Sequence, residues 1–168
     1  SIVHKRPRES RRTVGDYRRS LVESLFHAML NARLSEIARR GNAPFLSAFS
    51  SGGELGKTVA TFRLSASVSD TGIATGLRAL LVEYERVRRH GFLPSELTRA
   101  KERFRAQSER AYAERGKTES AAYAGAYVGH FLDGEPAPGA EVEHELVRQL
   151  LPGITLEEVA ALVPLLAG

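Results

Sequence analysis

The fold is decided by residues 13–68, which read TVGDYRRSLVESLFHAMLNARLSEIARRGNAPFLSAFSSGGELGKTVATFRLSASV. From Asp16 to Arg40 the apolar residues recur at three- and four-residue spacings, a pattern typical of an amphipathic helix. The stripe consists of Tyr17, Leu21, Val22, Leu25, Phe26, Met29, Leu30, Leu34 and Ile37. A stripe this wide predicts that a sheet or several helices cover the helix.

Directly behind the helix the apolar period changes to two, which predicts strands. We expect Gly41 and Asn42 to form a left-handed helix end, and Pro44 to prevent the helix from continuing. Two extended segments follow, and the glycines Gly52, Gly53 and Gly56 are predicted to connect them. In the second segment one face is apolar and the other polar. The apolar face holds Ala60, Phe62, Leu64, Ala66 and Val68, and the polar face Thr61, Arg63, Ser65 and Ser67.

The N-terminus predicts a third strand, because an isolated hairpin is only marginally stable. We expect this strand at residues 1–4, ended by Pro7. Thr13 and Asp16 have the spacing of a capping box, which predicts the start of the long helix. The sequence therefore predicts an α+β fold, in which an antiparallel sheet of two to three strands packs against a long helix and several further helices.

Five shorter helices are predicted after residue 70 from their capping signals. The first is predicted to begin at Ser69–Thr71 and end at Gly91, and the second to begin at Pro94 and end at Gly116. The third begins at Thr118, and the fourth extends from Val142 to Leu151. The fifth begins at the Thr155–Glu158 capping box, and Pro164 should kink or terminate it. The predicted buried faces are Ile73, Leu77, Leu80, Leu81, Tyr84 and Val87 in the first of these helices and Leu97, Ala100, Phe104 and Ala111 in the second. The helix after Thr118 is rich in alanine and glycine, so we expect it to pack closely on a neighbour.

Length and composition predict one folded domain over residues 1–168, with a strand–helix–hairpin unit at 1–70 and a helical layer at 71–168. The chain has 168 residues, 42% of them hydrophobic and 26% charged. It begins without Met on Ile2 and Val3 and stops after an apolar run, so we expect it to be a piece of a longer protein.

Composition also excludes several function classes. The net charge is +4, but the basic N-terminal dozen has no interleaved aromatic residues, so we expect no nucleic-acid partner. The absence of cysteine excludes disulfides and thiolate metal sites. No segment is apolar enough to span a membrane, and no signal peptide is predicted.

No catalytic, cofactor-binding or metal-binding residue is predicted in this chain. Residues 51–58 differ from a phosphate-binding loop at Ser51, and Lys57 precedes a strand instead of a helix. The five histidines are His4, His27, His90, His130 and His144. His144 begins a His-Glu-x-x-His motif that has Arg148 in place of the second histidine, and ends a His-x-x-Glu-His motif that has Ala140 in place of the first.

Six short motifs together resemble the insulinase/pitrilysin-type zinc metallopeptidases. They are residues 16–21 (DYRRSL), 29–36 (MLNARLSE), 43–45 (APF), 90–92 (HGF), 96–101 (ELTRAK) and 153–159 (GITLEEV), which span nearly the whole chain in order. The chain is most similar to the C-terminal portion of the second, non-catalytic domain of the bacterial single-chain members. This resemblance implies an α+β sandwich with helices on one side of a mixed sheet.

The resemblance implies zinc in another domain of the parent, held by an inverted motif that this chain lacks. Some C-terminal domains of the family also supply a substrate-contacting arginine followed seven residues on by a tyrosine. Near the end of the long helix this spacing leads from Arg33 to Arg40, from Arg39 to Leu46 and from Arg40 to Ser47. Arg105 and Tyr112 have the spacing, but on a later helix, so we interpret that match as chance.

Two functions follow from the resemblance. The first is a structural domain of a zinc peptidase that walls the chamber in which peptides are cut, with other domains and peptide substrates as partners. The parent would be a bacterial periplasmic or secreted protein. The second is a protein-interaction or scaffold domain of an inactive relative. Because few strands remain to cover the long helix, we also expect the isolated chain to form a homodimer.

Overall fold

The computed structural model of the chain describes residues 1–9, 11–117, 120–134 and 136–167. In these ranges it contains one sheet and six α-helices, which confirms the α+β prediction. The strands are β1 (Ile2–Pro7), β2 (Ser47–Leu55) and β3 (Val59–Ser67), and the α-helices are α1 (Val14–Ala38), α2 (Ile73–His90), α3 (Pro94–Ala113), α4 (Ser120–Asp133), α5 (Gly139–Leu150) and α6 (Leu156–Ala167), with single 3-10 turns at Arg115–Lys117 and Leu151–Gly153. No helix in these ranges is long and apolar enough to cross a bilayer.

Helix α1 is the centre of the core, as its apolar period predicts. Thr13 Oγ1 accepts a hydrogen bond from the Asp16 amide, and the Asp16 carboxylate accepts one from the Thr13 amide, so the predicted capping box forms. The side chains of Leu25, Phe26 and Leu30 are completely buried. The helix contacts β2 and the helices α2, α3, α5 and α6.

The end of α1 differs from the prediction. Arg39 caps the helix in a right-handed conformation, and Gly41 is not among the glycines with positive φ. The amides of Arg39 and Arg40 both donate to the carbonyl of Ile37, and Ala43 donates to Arg40. The helix therefore ends in short turns without a left-handed residue.

The sheet is antiparallel throughout, in the order β1-β3-β2. Strand β1 ends at Pro7 as predicted, but it extends three residues beyond His4. The β2–β3 turn consists of residues 56–58, with Gly56 at a φ of 67°. Gly52 and Gly53 lie inside β2, so they do not form the predicted connection.

The two faces of the sheet differ as the alternation predicts. Phe62 and Leu64 are 3% and 2% exposed and face α1, whereas Arg63 is exposed on the other face. Thr61 is an exception to the predicted polar face, since it is only 7% exposed. Its hydroxyl oxygen lies 3.2 Å from the place that a Cβ on Gly53 would take. The missing side chain of Gly53 therefore lets Thr61 lie flat on the central strand.

Helix α2 buries only half of its predicted apolar face. Leu80, Tyr84 and Val87 are buried, but Ile73, Leu77 and Leu81 are 68%, 44% and 49% exposed. A Cβ on Gly76 would lie 2.4 Å from the Val68 side chain, so α2 approaches the end of β3 along the row that contains Gly76. The neighbouring row turns away from the core. The N-cap is Gly72, without the predicted side-chain cap from 69–71, whereas Gly91 ends the helix with a φ of 66° as expected.

Helix α3 starts at Pro94 as predicted, and the Glu96 carboxylate accepts the Leu93 amide. Leu97 and Ala100 are buried, but Ala111 is exposed, which corrects that part of the predicted face. The helix ends at Ala113, just before the 3-10 turn that contains Gly116.

Helices α4 and α5 depart from prediction, and α6 passes through Pro164. The expected close packing of small residues on α4 is wrong for Gly125 and Gly129, since open space surrounds both positions; the predicted cap Thr118 lies outside the described residues. Helix α5 starts three residues early, at Gly139. The Thr155–Glu158 capping box forms, but α6 continues through Pro164 to Ala167, so Pro164 does not terminate it.

Candidate functional site

A cluster of polar side chains lies between α1 and the sheet. Glu23 and His27 are one helical turn apart on α1, and Arg6 of β1 donates to Glu23 Oε1 at 2.7 Å. The Nδ1 of His27 lies 2.5 Å from Ser50 Oγ on β2. Gly52 makes this arrangement possible, because a Cβ there would lie 2.9 Å from Glu23 Oε1.

The cluster has a serine, a histidine and a carboxylate in sequence, yet its geometry is structural. Ser50 is only 2% exposed, so its hydroxyl cannot meet a substrate. The Asn31 side chain bonds both the amide and the carbonyl of Ser50, at 2.6 and 3.0 Å. His27 Nε2 lies 3.8 Å from Glu23 Oε1, longer than a hydrogen bond. The group therefore fastens α1 to β2.

The charge on Glu23 is stabilised by its neighbours. His27, together with the Arg6 guanidinium, lowers the pKa of Glu23 to about 2, against the opposing effect of burial. The carboxylate therefore stays ionised at pH values below the ordinary pKa of a glutamate, and Arg6 neutralises it within the fold.

A second network joins α1, α2 and α3. The Arg33 guanidinium donates to both oxygens of Glu96 at 2.6 and 2.7 Å, and to Glu83 at 3.4 Å. It also donates to the carbonyl of Gly91 and lies 4.8 Å from the centre of the Phe92 ring. Glu83 is only 3% exposed. Arg33 therefore joins the three helices from a position at which its side chain is 17% exposed.

The histidines do not converge. His27 is buried beside Ser50, whereas His144 lies 3.0 Å from Ser108 and stacks on Tyr112 at 4.7 Å. His4 is on β1, His90 ends α2 and His130 is on α4. Within the part of the chain that the structure describes, no group of three or more His, Asp or Glu residues could hold a metal.

Arg105 and Tyr112 do not act together either. Arg105 faces Glu109 at 3.7 Å, while Tyr112 lies beneath the Arg115 guanidinium at 4.0 Å. Lys57 is in the β2–β3 turn and not at the N-terminus of a helix, so residues 51–58 lack the geometry of a phosphate-binding loop.

The side of the sheet away from α1 carries apolar, cationic and hydroxyl side chains together, and we refer to it as the open sheet face. The strand register assigns to it Val3, Lys5 and Pro7 of β1, Val59, Thr61, Arg63, Ser65 and Ser67 of β3, and Ser47, Phe49, Ser51, Gly53 and Leu55 of β2. It contains five hydroxyl groups, two cationic groups and no carboxylate. Phe49 and Leu55 are 49% and 55% exposed. The alternation of apolar and polar residues along β3 predicted the polar residues of this face. It did not predict the exposed apolar residues of β2.

The chain is similar to known proteins in both sequence and fold. The sequence is 33% identical over 159 residues to a PQQL-like zinc protease of Arabidopsis thaliana. The fold matches the crystal structure of the first half of the periplasmic protease PqqL from Escherichia coli, with a TM-score of 0.90 over 98% of this chain at 16% identity. The resemblance to insulinase-type zinc proteases is confirmed. No protein-family model matches the chain.

The similarity extends over this chain but over only a part of each relative. The alignment with the Arabidopsis protease covers 95% of this chain and 14% of that protein. A predicted insulinase-family protease from Yersinia pestis has the same fold, with a TM-score of 0.83 and 14% identity, over 96% of this chain and 35% of the other. The chain therefore corresponds to one segment of such a protease.

Proposed function

We propose that the chain is a non-catalytic segment of a zinc-dependent insulinase-type endopeptidase, and that its open sheet face lines the space in which peptides are bound. The observation that carries this proposal is the 33% identity to a small part of a zinc protease. Zinc and the cleaving groups would belong to another part of the parent. Because PqqL of Escherichia coli is described as periplasmic, we propose a periplasmic or secreted parent.

The polar clusters support a structural role. The His27–Ser50 contact and the Glu23 carboxylate hold α1 to the sheet. Arg33 holds three helices together. Catalysis requires groups that reach the substrate, and Ser50 and Glu83 are 2% and 3% exposed. Stability is the function that these contacts serve.

The open sheet face supports contact with peptides. Lys5 and Arg63 are diagonal neighbours on β1 and β3 and are both exposed. The hydroxyl of Ser51, which lies opposite Arg63 on β2 and is partly exposed, can accept or donate a hydrogen bond to a peptide backbone. Phe49 offers an apolar contact. A surface of this kind favours weak, reversible binding of peptides that carry acidic side chains.

A scaffold domain of an inactive family relative is the second candidate. It is favoured by one observation, the absence of the Arg-to-Tyr spacing at the end of α1. A complete inverted His-x-x-Glu-His motif in the parent distinguishes the two, since only an active peptidase needs it.

The peptide-binding role is tested by replacing Arg63 with Glu in the parent protein. We expect the KM for acidic peptides to rise about fivefold, a change of roughly 1 kcal/mol, with kcat and bound zinc unchanged. Arg105→Glu is the matched control, because Arg105 is also exposed but lies on α3. Equal KM values for Arg63→Glu and the parent, with acidic and neutral peptides alike, would contradict the role of the open sheet face.

A further inference from the structure

Helix α4 exposes apolar side chains that a stable domain normally covers. Four of them, Tyr127, Val128, Phe131 and Leu132, are 65%, 55%, 87% and 55% exposed, and we call them the α4 apolar face. From Ser120 to Leu132 the sequence has no Asp, Glu, Lys or Arg. A helix that is apolar around most of its circumference is stable when it is buried.

Little of the described chain covers this helix. Lys57 Nζ donates to the Leu132 carbonyl at 3.4 Å, and open space surrounds the Cβ positions of Gly125 and Gly129. A fully exposed aromatic side chain presents roughly 150–250 Å². The α4 apolar face therefore exposes about 400–500 Å², near the largest apolar patch that a monomer tolerates and about half of one side of a standard interface.

We infer that the α4 apolar face is the docking surface for another domain of the same parent polypeptide. The inference rests on the proposed function, that the chain is a segment of a longer protease. The related protease is about seven times as long as the part that this chain matches, since the alignment covers only 14% of it, so there is ample polypeptide to cover α4. A domain in the same chain is present at an effective concentration of about millimolar, so a patch of this size is sufficient to hold it.

The chemistry of α4 also defines its partner. Because α4 carries no Asp, Glu, Lys or Arg up to Leu132, it offers little to a nucleic acid or an acidic protein and fits an apolar groove. The missing side chains at Gly125 and Gly129 let the partner approach the helix backbone. The α4 apolar face thus suits a permanent contact, in contrast to the basic, hydroxyl-rich open sheet face.

The test compares the isolated 168-residue chain with the longer parent polypeptide by hydrogen exchange and thermal unfolding. We expect the amides of residues 124–132 to exchange at least tenfold more slowly in the parent. Phe131→Asp should remove this protection in the parent and leave the Tm of the isolated chain unchanged. Phe131→Leu should keep the protection, and Phe49→Asp, on the open sheet face, should not affect α4.

Three results would overturn the inference. The first is equal exchange of α4 in the parent and in the isolated chain. The second is a fall in the Tm of the isolated Phe131→Asp chain, which would mean that α4 packs within its own domain. The third is a dimer of the isolated chain that Phe131→Asp dissociates, which would make a second copy the occupant. A parent with protected α4 but no chelator-sensitive cleavage would contradict the proposed function and leave the docking surface intact.

Discussion

Replacing Phe62 with Ala is expected to destabilise the domain severely. The ring is 3% exposed on the central strand, and its centre lies 6.1 Å from that of Phe26, 5.7 Å from His27 and 5.7 Å from Tyr84. Its removal leaves a cavity where α1, α2 and the sheet meet, at a cost of about 3–5 kcal/mol. This is a large share of the roughly 5–15 kcal/mol that stabilises a domain, and corresponds to a fall in Tm of about 6–20 °C.

The assay is urea and thermal unfolding followed by circular dichroism, with Arg63→Ala as the matched control. Arg63 is the next residue on β3 and faces the open side, so its removal should change the free energy of unfolding by less than about 0.5 kcal/mol. An unchanged Tm for Phe62→Ala, or an equal loss for both variants, would refute the face assignment, because a one-residue shift exchanges the two faces.

Three further predictions concern charge and assembly. The pKa of Glu23 is lowered to about 2, so its contribution to stability is present above pH 4.5 and is lost as the pH falls toward 2; Glu23→Gln should remove about 2–3 kcal/mol of this acid dependence, measured by urea unfolding between pH 2 and 7. Arg33→Met should cost about 3–5 kcal/mol because it removes an arginine partner from the buried Glu83 and the partly buried Glu96, and Arg39→Met, at an exposed position, almost nothing. The isolated chain should be a dimer by light scattering, since the outer edges of β1 and β2 are unpaired among the described residues. The rest of the parent domain added in trans should compete with that dimer, whereas a monomer at high concentration would disprove it.

The features that could be predicted from the sequence are those set by local patterns. The spacing of apolar residues in α1, the capping boxes at Thr13 and Thr155, and the alternation along β3 each depend on neighbouring residues. The packing of Phe62 against α1 follows from these patterns, because both elements had a single apolar face to bury.

The features that the sequence did not reveal depend on contacts between distant segments. A glycine stands at position 52 within β2 because Glu23 and His27 of α1 occupy the space that a side chain there would need. The row of α2 that contains Leu81 is exposed because Gly76 brings a different row against Val68. No periodicity distinguishes two adjacent apolar rows on one helix, and none reveals that α4 lies apart from the core.

The polar clusters were missed for the same reason. Ser50 and His27 are 23 residues apart, and Arg33 and Glu96 are 63 apart. Neither pair has the spacing of a known motif. The sequence showed only that a histidine and an arginine, His27 and Arg33, lie within the apolar stretch of α1. In the fold these residues hold α1 to β2 and to α3.

The central claim is tested most directly by measuring bound zinc and peptide cleavage in the isolated chain and in the longer parent, after dialysis. We predict that the parent retains zinc and cleaves peptides until a chelator is added, while the isolated chain retains none and cleaves none. Stoichiometric zinc in the isolated chain, or hydrolysis by it that a chelator abolishes, would contradict the assignment of this segment as a non-catalytic part of a zinc protease.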